Sequence, residues 1–179
     1  MWNRRQVLAG IGAIAGTQHL THADVAFANG GSSPLAGNWM LQPGQTQIDM
    51  VTQRVTALLD DMTPINRLRS QHWLMNTVVP TPQLSIGYNG VSMTVSEPGR
   101  PMLTVLVDGS DQPWLDSFGY PQILRFHLPG QTLVQTVQGR IDRYNILDVS
   151  QGRLRMRTRI TGDRFPHSLS FSLGYQAPQ

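Results

Sequence analysis

The sequence predicts an all-β protein: an up-and-down antiparallel closed barrel of about 9–10 strands with a two-helix lid between strands 1 and 2. Three observations lead there. From residue 82 onward apolar residues alternate with polar ones at a period of two, in short runs separated by turn-forming residues. Ahead of that region, after one short apolar segment, two stretches carry the spacing of helices. Charged residues make up only 14% of the chain while glycine and proline number 17 and 12, a low-charge, turn-rich composition that suits strands better than a helical bundle.

Residues 1–28 read as an export signal that stands apart from the barrel. Arg4-Arg5 form a short positive region, Val7 to Gly16 is weakly apolar, and Ala26-Phe27-Ala28 offers a cleavage site before Asn29. The apolar stretch is well short of the ~20 residues that span a bilayer. The arginine pair followed by Gln6-Val7-Leu8 resembles the twin-arginine signal, with Val7 in place of the usual aromatic and Ala9 in place of the lysine. That resemblance implies a bacterial protein, periplasmic or extracellular, whose first partner is the export machinery; the general secretory route is the alternative. Removing 1–28 leaves 151 residues and lowers the net charge from +3 to +2. A chain of that size buries enough surface for a core without cross-links. All 14 basic residues are arginine and there is no cysteine, which excludes disulfide scaffolds, thiolate metal sites and thiol catalysis. So small a positive balance does not predict nucleic-acid binding.

Residues 29–36 form a polar linker, and 37–179 form the barrel domain. Gly37 to Leu41 is the first strand. Ile48, Val51, Val55, Leu58, Leu59 and Met62 line one face of a helix over about 46–62. Pro64 suits the first turn of a second helix over about 64–76, with Ile65, Leu68 and Trp73 as its apolar residues. Pro80-Thr81-Pro82 ends the pair. Leu84, Ile86 and Tyr88, then Asn89-Gly90, then Val91, Met93 and Val95 predict a hairpin with a two-residue turn needing positive φ twice. Further strands are expected at about 102–108, 122–128, 132–138, 140–149, 152–160 and 168–176, with a short one near 112–116. A meander of this length must manage its edges, and closure removes them.

Gly37-Asn38-Trp39 resembles the G-x-W of the lipocalins and fatty-acid-binding proteins, together the calycins. The helix pair and strand count look more like the fatty-acid-binding branch. The layout from Gly37 to Tyr175 is also similar to bacterial exported lipocalin-like proteins. The resemblance implies that Gly37 and Trp39 are structural, the tryptophan packing across the closed end of the barrel. It also implies a ligand held in the interior. The R-x-Y that fatty-acid-binding proteins carry on the last strand is incomplete: Tyr175 matches the tyrosine, and Leu173 stands where the arginine would.

Candidate ligand-binding residues follow from strand alternation. On 122–128, Arg125 and His127 share a face with Ile123, opposite Leu124, Phe126 and Leu128. An arginine or histidine among apolar walls would orient a ligand's polar end, and Arg143, Tyr144 and Tyr175 are further candidates. A solvated outer face is the alternative for Arg125 and His127. Arg153, Arg155, Arg157 and Arg159 alternate with Leu154, Met156, Thr158 and Ile160. This arginine ladder is either a solvated face or a platform for anions, since guanidinium groups grip carboxylates and phosphates through paired donors. An inward ladder would need matching acids, and Asp142 and Asp148 on the neighbouring strand qualify only in one register. His72 and Met75 lie three apart on the second helix, a spacing more typical of lid packing than of a copper site. No metal-ligand motif, catalytic elbow or phosphate loop is present in the sequence, so neither metal nor cofactor is expected.

The expected function is therefore an exported protein that binds a small hydrophobic molecule, of the lipid or isoprenoid class, in the barrel interior. Two alternatives are an envelope interaction protein with a filled barrel that docks an anionic surface through the arginine ladder, and a cofactor-independent isomerase or cyclase on the same scaffold.

Overall fold

The computed structural model of the chain describes residues 33–116 and 118–178. The expected export signal and the first part of the linker lie outside these residues. Ser33 to Ala36 form a turn closed by the Ala36 amide donating to the Ser33 carbonyl at 3.0 Å. Leu35 at its centre is fully buried, so packing begins before the first strand.

Ten strands and two helices follow in the predicted order: β1 (Gly37–Leu41), α1 (Gly44–Asp60), α2 (Pro64–Thr77), β2 (Gln83–Tyr88), β3 (Ser92–Ser96), β4 (Leu103–Leu106), β5 (Gln112–Leu115), β6 (Pro121–His127), β7 (Leu133–Gln138), β8 (Asp142–Ser150), β9 (Arg153–Thr161) and β10 (Leu169–Gln176). They form one antiparallel sheet in the order β4-β3-β2-β1-β10-β9-β8-β7-β6-β5. Every sequence neighbour from β1 to β4 and from β5 to β10 is a neighbour in space, and β1 pairs β10 to join the two runs. The barrel is nearly closed. Past β4 the chain bridges directly to β6, with the Gly109 amide donating to the Phe126 carbonyl at 2.9 Å and Asp108 facing His127.

α1 lies over the barrel with Val51, Val55, Leu58 and Leu59 buried, as their spacing requires. α2 opens on Thr63 with Pro64 in its first turn, where a missing N–H costs nothing. Its apolar face differs from the expected one. Ser70 and Leu74 are the buried positions, Trp73 is half-buried, and Ile65 and Leu68 are 64% and 80% exposed. Residues 70, 74 and 78 stand one turn apart, so the face set by Leu74 and Val78 carries Ile65 and Leu68 outward.

Two turns separate local preference from realised geometry. The hairpin between β2 and β3 forms as expected, but its turn is centred on Gly90-Val91, because the Asn89 amide donates to the Ser92 carbonyl. Positive φ falls on Gly90 alone, the pattern of a II′ turn, and the Asn89 side-chain oxygen accepts from the amides of Val91 and Ser92. Val91 thereby leaves the strand and is 65% exposed. Between β8 and β9, Ser150 faces Arg153 across Gln151 and Gly152, with φ of 52° and 68°. That is the I′ pattern.

Inside the barrel, Leu133, Leu147, Leu154, Ile160 and Leu173 are essentially fully buried. Trp39 sits in the same core at 6% exposure, and its indole N–H donates to the Leu35 carbonyl at 2.9 Å. The aromatic body is buried while its one polar atom is satisfied, which is what a buried tryptophan requires.

Candidate ligand site at the barrel mouth

The interior is filled at depth and open at one end. A deep cavity of about 50 Å³ lies among Leu84, Phe126, Asn145, Thr158 and Tyr175, room for a few waters. Toward the lid the space widens into a cavity of about 360 Å³. α2 contributes Trp73 and Thr77 to it, the β3–β4 connection Glu97, Arg100 and Leu103, β5 Trp114, and the β7–β8 region Val137, Ile141 and Arg143. The walls are mainly apolar or aromatic, and the charged groups are Glu97, Arg100, Arg143 and Asp116.

Arg143 borders both cavities. Its place on β8 follows from alternation with Asn145 and Leu147, both buried. One guanidinium nitrogen, Nη1, donates to the Thr77 carbonyl of α2 at 3.3 Å. Nε is covered and has no protein acceptor. Burial pushes the pKa of Arg143 down, Glu97 opposes that shift, and Arg100 adds to it. Glu97 is committed elsewhere: its carboxylate accepts from Arg100 Nη1 and, at 3.2 Å, from the Thr81 hydroxyl. The group of Glu97, Arg100 and Arg143 thus carries one uncompensated positive charge, which favours a polar or anionic ligand end.

Tyr175 on β10 is 3% exposed and lines the deep cavity. Burial first, then the charge of Glu97, raises the pKa of its phenol, which stays neutral and able to donate. Beside it runs a polar chain that strand register assembles. The Thr158 hydroxyl donates to Asn145 Oδ1 at 2.9 Å, and Asn145 Nδ2 donates to Gln135 Oε1 at 3.0 Å, each between directly paired residues of β9, β8 and β7. Gln122 on β6 borders the mouth cavity; Nε2 donates to Asp116 at 3.3 Å and Oε1 is covered without a partner.

No protein-family model matches the sequence, and no curated protein matches it. Solved structures do match. The REP1-NXSQ fatty acid transporter superimposes with a TM-score of 0.51 at 16% identity, covering 81% of this chain and 96% of the transporter. A secretory abundant heat soluble protein from Ramazzottius varieornatus gives 0.52 at 8% identity, covering 84% of this chain and all (100%) of its own. Apo Caenorhabditis elegans lipid binding protein 8 gives 0.50 at 7%, with 84% and 100% covered. At these identities the likeness is one of fold.

Within the barrel the expected ligand residues separate into two groups. Arg143 and Tyr175 face the interior and line the same deep cavity. Arg125, His127 and Tyr144 face outward. On β6 the inward phase is Gln122, Leu124 and Phe126, so the expectation that Arg125 and His127 orient an enclosed ligand is corrected. Arg125 instead pairs with Asp111, its Nε donating at 2.7 Å. Tyr144 is adjacent to Arg143, and neighbours on a strand cannot share a face; it is 42% exposed.

The arginine ladder is outward in full: Arg153, Arg155, Arg157 and Arg159 are exposed between buried Leu154, Thr158 and Ile160. The β8–β9 register puts Asp148 opposite Arg155 on the same face, and Arg157 Nη2 reaches the Asp148 carboxylate at 3.2 Å. Asp142 shares that face, but its carboxylate accepts from the Gly139 amide at 3.1 Å. His72 packs edge-on against Phe118, with ring centroids 5.2 Å apart. Among the described residues no group of three or more potential metal ligands comes together.

Gln122, Gln135, Asn145, Thr158 and Glu97 contribute to the site without having been singled out in the sequence. A signal for the first four was present: each lies in phase with apolar residues that the same strand buries. A polar residue in an inward phase is the mark of an interior hydrogen-bond network.

Proposed function

We propose that this protein binds a small hydrophobic molecule, of the lipid or isoprenoid class, in the mouth of its barrel beneath α2, with the ligand's polar end against Arg143, and that it does so after export to the periplasm or cell exterior. The observation that carries this reading is the cavity of about 360 Å³, apolar and aromatic on most sides, with Arg143 in its wall beside the Glu97–Arg100 pair. Its volume falls within the range of ligand sites, roughly 300–1,000 Å³. An amphiphile satisfies both features, its body on Trp73, Leu103 and Trp114 and its polar end at the excess positive charge. Two of the fold neighbours, a fatty acid transporter and a lipid binding protein, support the ligand class. The export element rests on residues 1–28 of the sequence.

The test combines lipid extraction and native mass spectrometry of purified protein with titration of the neutral dye N-phenyl-1-naphthylamine. A co-purifying amphiphile and saturable dye binding are expected. Val137→Phe, which fills the mouth cavity, is expected to weaken dye binding about tenfold or more. Absence of both a co-purified ligand and dye binding overturns the reading.

A second reading, docking to an anionic envelope surface, is supported by the outward arginine ladder, of which only Arg157 forms an ion pair among the described residues. Arg155→Ser with Arg157→Ser is then expected to weaken binding to anionic lipid vesicles and to flatten its salt dependence. Unchanged sedimentation with such vesicles removes this reading.

A further inference from the structure

A second cavity of about 350 Å³ lies outside the barrel mouth, where α2, the β5–β6 turn, the β7–β8 turn and the β9–β10 loop meet. It shares Trp73, Asp116, Phe118, Gln122 and Ile141 with the mouth cavity, so those residues form a common wall. Its own lining is of a different kind. Arg69, Arg140 and Arg164 border it from three separate elements, and Tyr120 and Phe165 add to the aromatic surface of Trp73 and Phe118.

The charge there is unbalanced. None of the three arginines forms an ion pair among the described residues. Asp116 is the one acid in the lining, and its carboxylate is already engaged: Oδ1 accepts from the amides of Phe118 and Tyr120 at 2.9 and 2.8 Å, and Oδ2 from Gln122. Arg140 lies over the Tyr120 ring, 5.1 Å from its centroid. This cation–π contact restrains the guanidinium without using its N–H groups, which remain able to donate to an oxygen pair.

We propose that this outer cleft is a binding site for a flat aromatic molecule bearing one anionic oxygen group, a carboxylate, sulfonate or phosphate. Its rings stack against Trp73, Phe118 and Phe165, and its oxygens accept from Arg140 and Arg164, with Arg69 adding charge across the cleft. Aromatic faces recognise the ring system. Paired guanidinium donors recognise the anion. The site is distinguished from the mouth cavity by its three arginines, while the two share the wall that carries Trp73 and Phe118.

The experiment uses a pair of probes that differ by one charge, naphthalenesulfonate and its neutral amide naphthalenesulfonamide, titrated calorimetrically. The full set of proteins is wild type, Arg140→Gln with Arg164→Gln, Arg69→Gln alone, and Val137→Phe. Arg140 and Arg164 border only the outer cleft, whereas Val137 borders only the barrel cavities. Naphthalenesulfonate is expected to bind wild type more tightly than the amide. It is expected to weaken about tenfold or more in the double variant and by a smaller factor in Arg69→Gln, with Val137→Phe unchanged. The amide is expected to show no such loss. Sulfonate binding that survives the arginine changes, that is absent from wild type, or that is lost in Val137→Phe instead overturns the proposal. The last outcome would place the probe in the barrel mouth, so failure of the outer cleft and failure of the barrel site read differently. Arg69→Gln serves as an independent arm if the double variant does not fold.

Discussion

Tyr175 is a buried acid in a chain where few groups can mask it. The sequence has no lysine, so above neutral pH the side chains that titrate are its four tyrosines. Burial and the charge of Glu97 hold the Tyr175 phenol above the ordinary tyrosine range in the folded state. In the unfolded chain the same phenol releases its proton near pH ~10. From there upward the unfolded state binds fewer protons than the folded one, so stability falls as pH rises until the folded pKa is reached. Tyr175→Phe is therefore expected to lose stability more gradually between about pH 9 and 11 than wild type. Urea midpoints across that interval measure it. Equal slopes in the two proteins would show that the phenol is not protected from ionisation. Arg143 is the complementary case: its cost of burial is offset because Thr77 accepts one N–H and Glu97 lies near, while Nε has no protein acceptor.

Among the elements, the β8–β9 hairpin decides the most. Its two-residue turn sets Ser150 opposite Arg153, and every later pair follows, including Asn145 with Thr158 and Asp148 with Arg155. One register therefore builds the interior polar chain and turns the arginine ladder outward together. The turn is not optimal in composition. Gln151 adopts positive φ, at 52°, where a side chain other than Asn or Asp is disfavoured. Gln151→Asn is expected to raise stability by about 0.5 kcal/mol without moving any strand. Chemical denaturation gives the stability, and amide shifts in β8 and β9 confirm the register. A loss of stability would mean that Gln151 makes contacts that outweigh its backbone conformation. The β2–β3 turn shows the opposite balance. Asn89-Gly90 suits a I′ turn, but the paired strands place the turn one residue later and employ Asn89 as a side-chain acceptor.

At the scale of the molecule, closure relies on side chains where strands are short. β1 pairs only two residues with β10, and beyond it Gln47 of α1 takes up the Gly174 backbone, accepting from its amide at 2.8 Å and donating to its carbonyl at 3.0 Å. Across the other seam, Gln112 does the same for Leu106, at 2.9 and 3.1 Å. A glutamine amide has the donor and acceptor of a peptide group, so each acts as one rung of a missing strand. Gln112→Ala is expected to leave the global stability within about 1 kcal/mol while speeding hydrogen exchange at the Leu106 amide and its neighbours in β4. Unchanged exchange there would show that the direct β4–β6 bridge closes the barrel alone.

Strand and helix positions were legible in the sequence because alternation and helical spacing are local properties, written within each element. The two-helix lid and the count of about 9–10 strands follow from that code, whereas the packing of Trp39 was what the G-x-W resemblance implied. Adjacent Arg143 and Tyr144 show its limit. Both stood as candidates, alternation allows only one inside, and non-local pairing chose Arg143 by bringing Asn145 and Leu147 into the core beside it. Tertiary structure alone also decided which part of the barrel is filled and which is open. That depends on how side chains from ten strands and two helices share one volume, and no single segment records it. The outer cleft has the same origin: Arg69, Arg140 and Arg164 lie far apart along the chain, and closure of the barrel beneath α2 is what gathers their charge in one place.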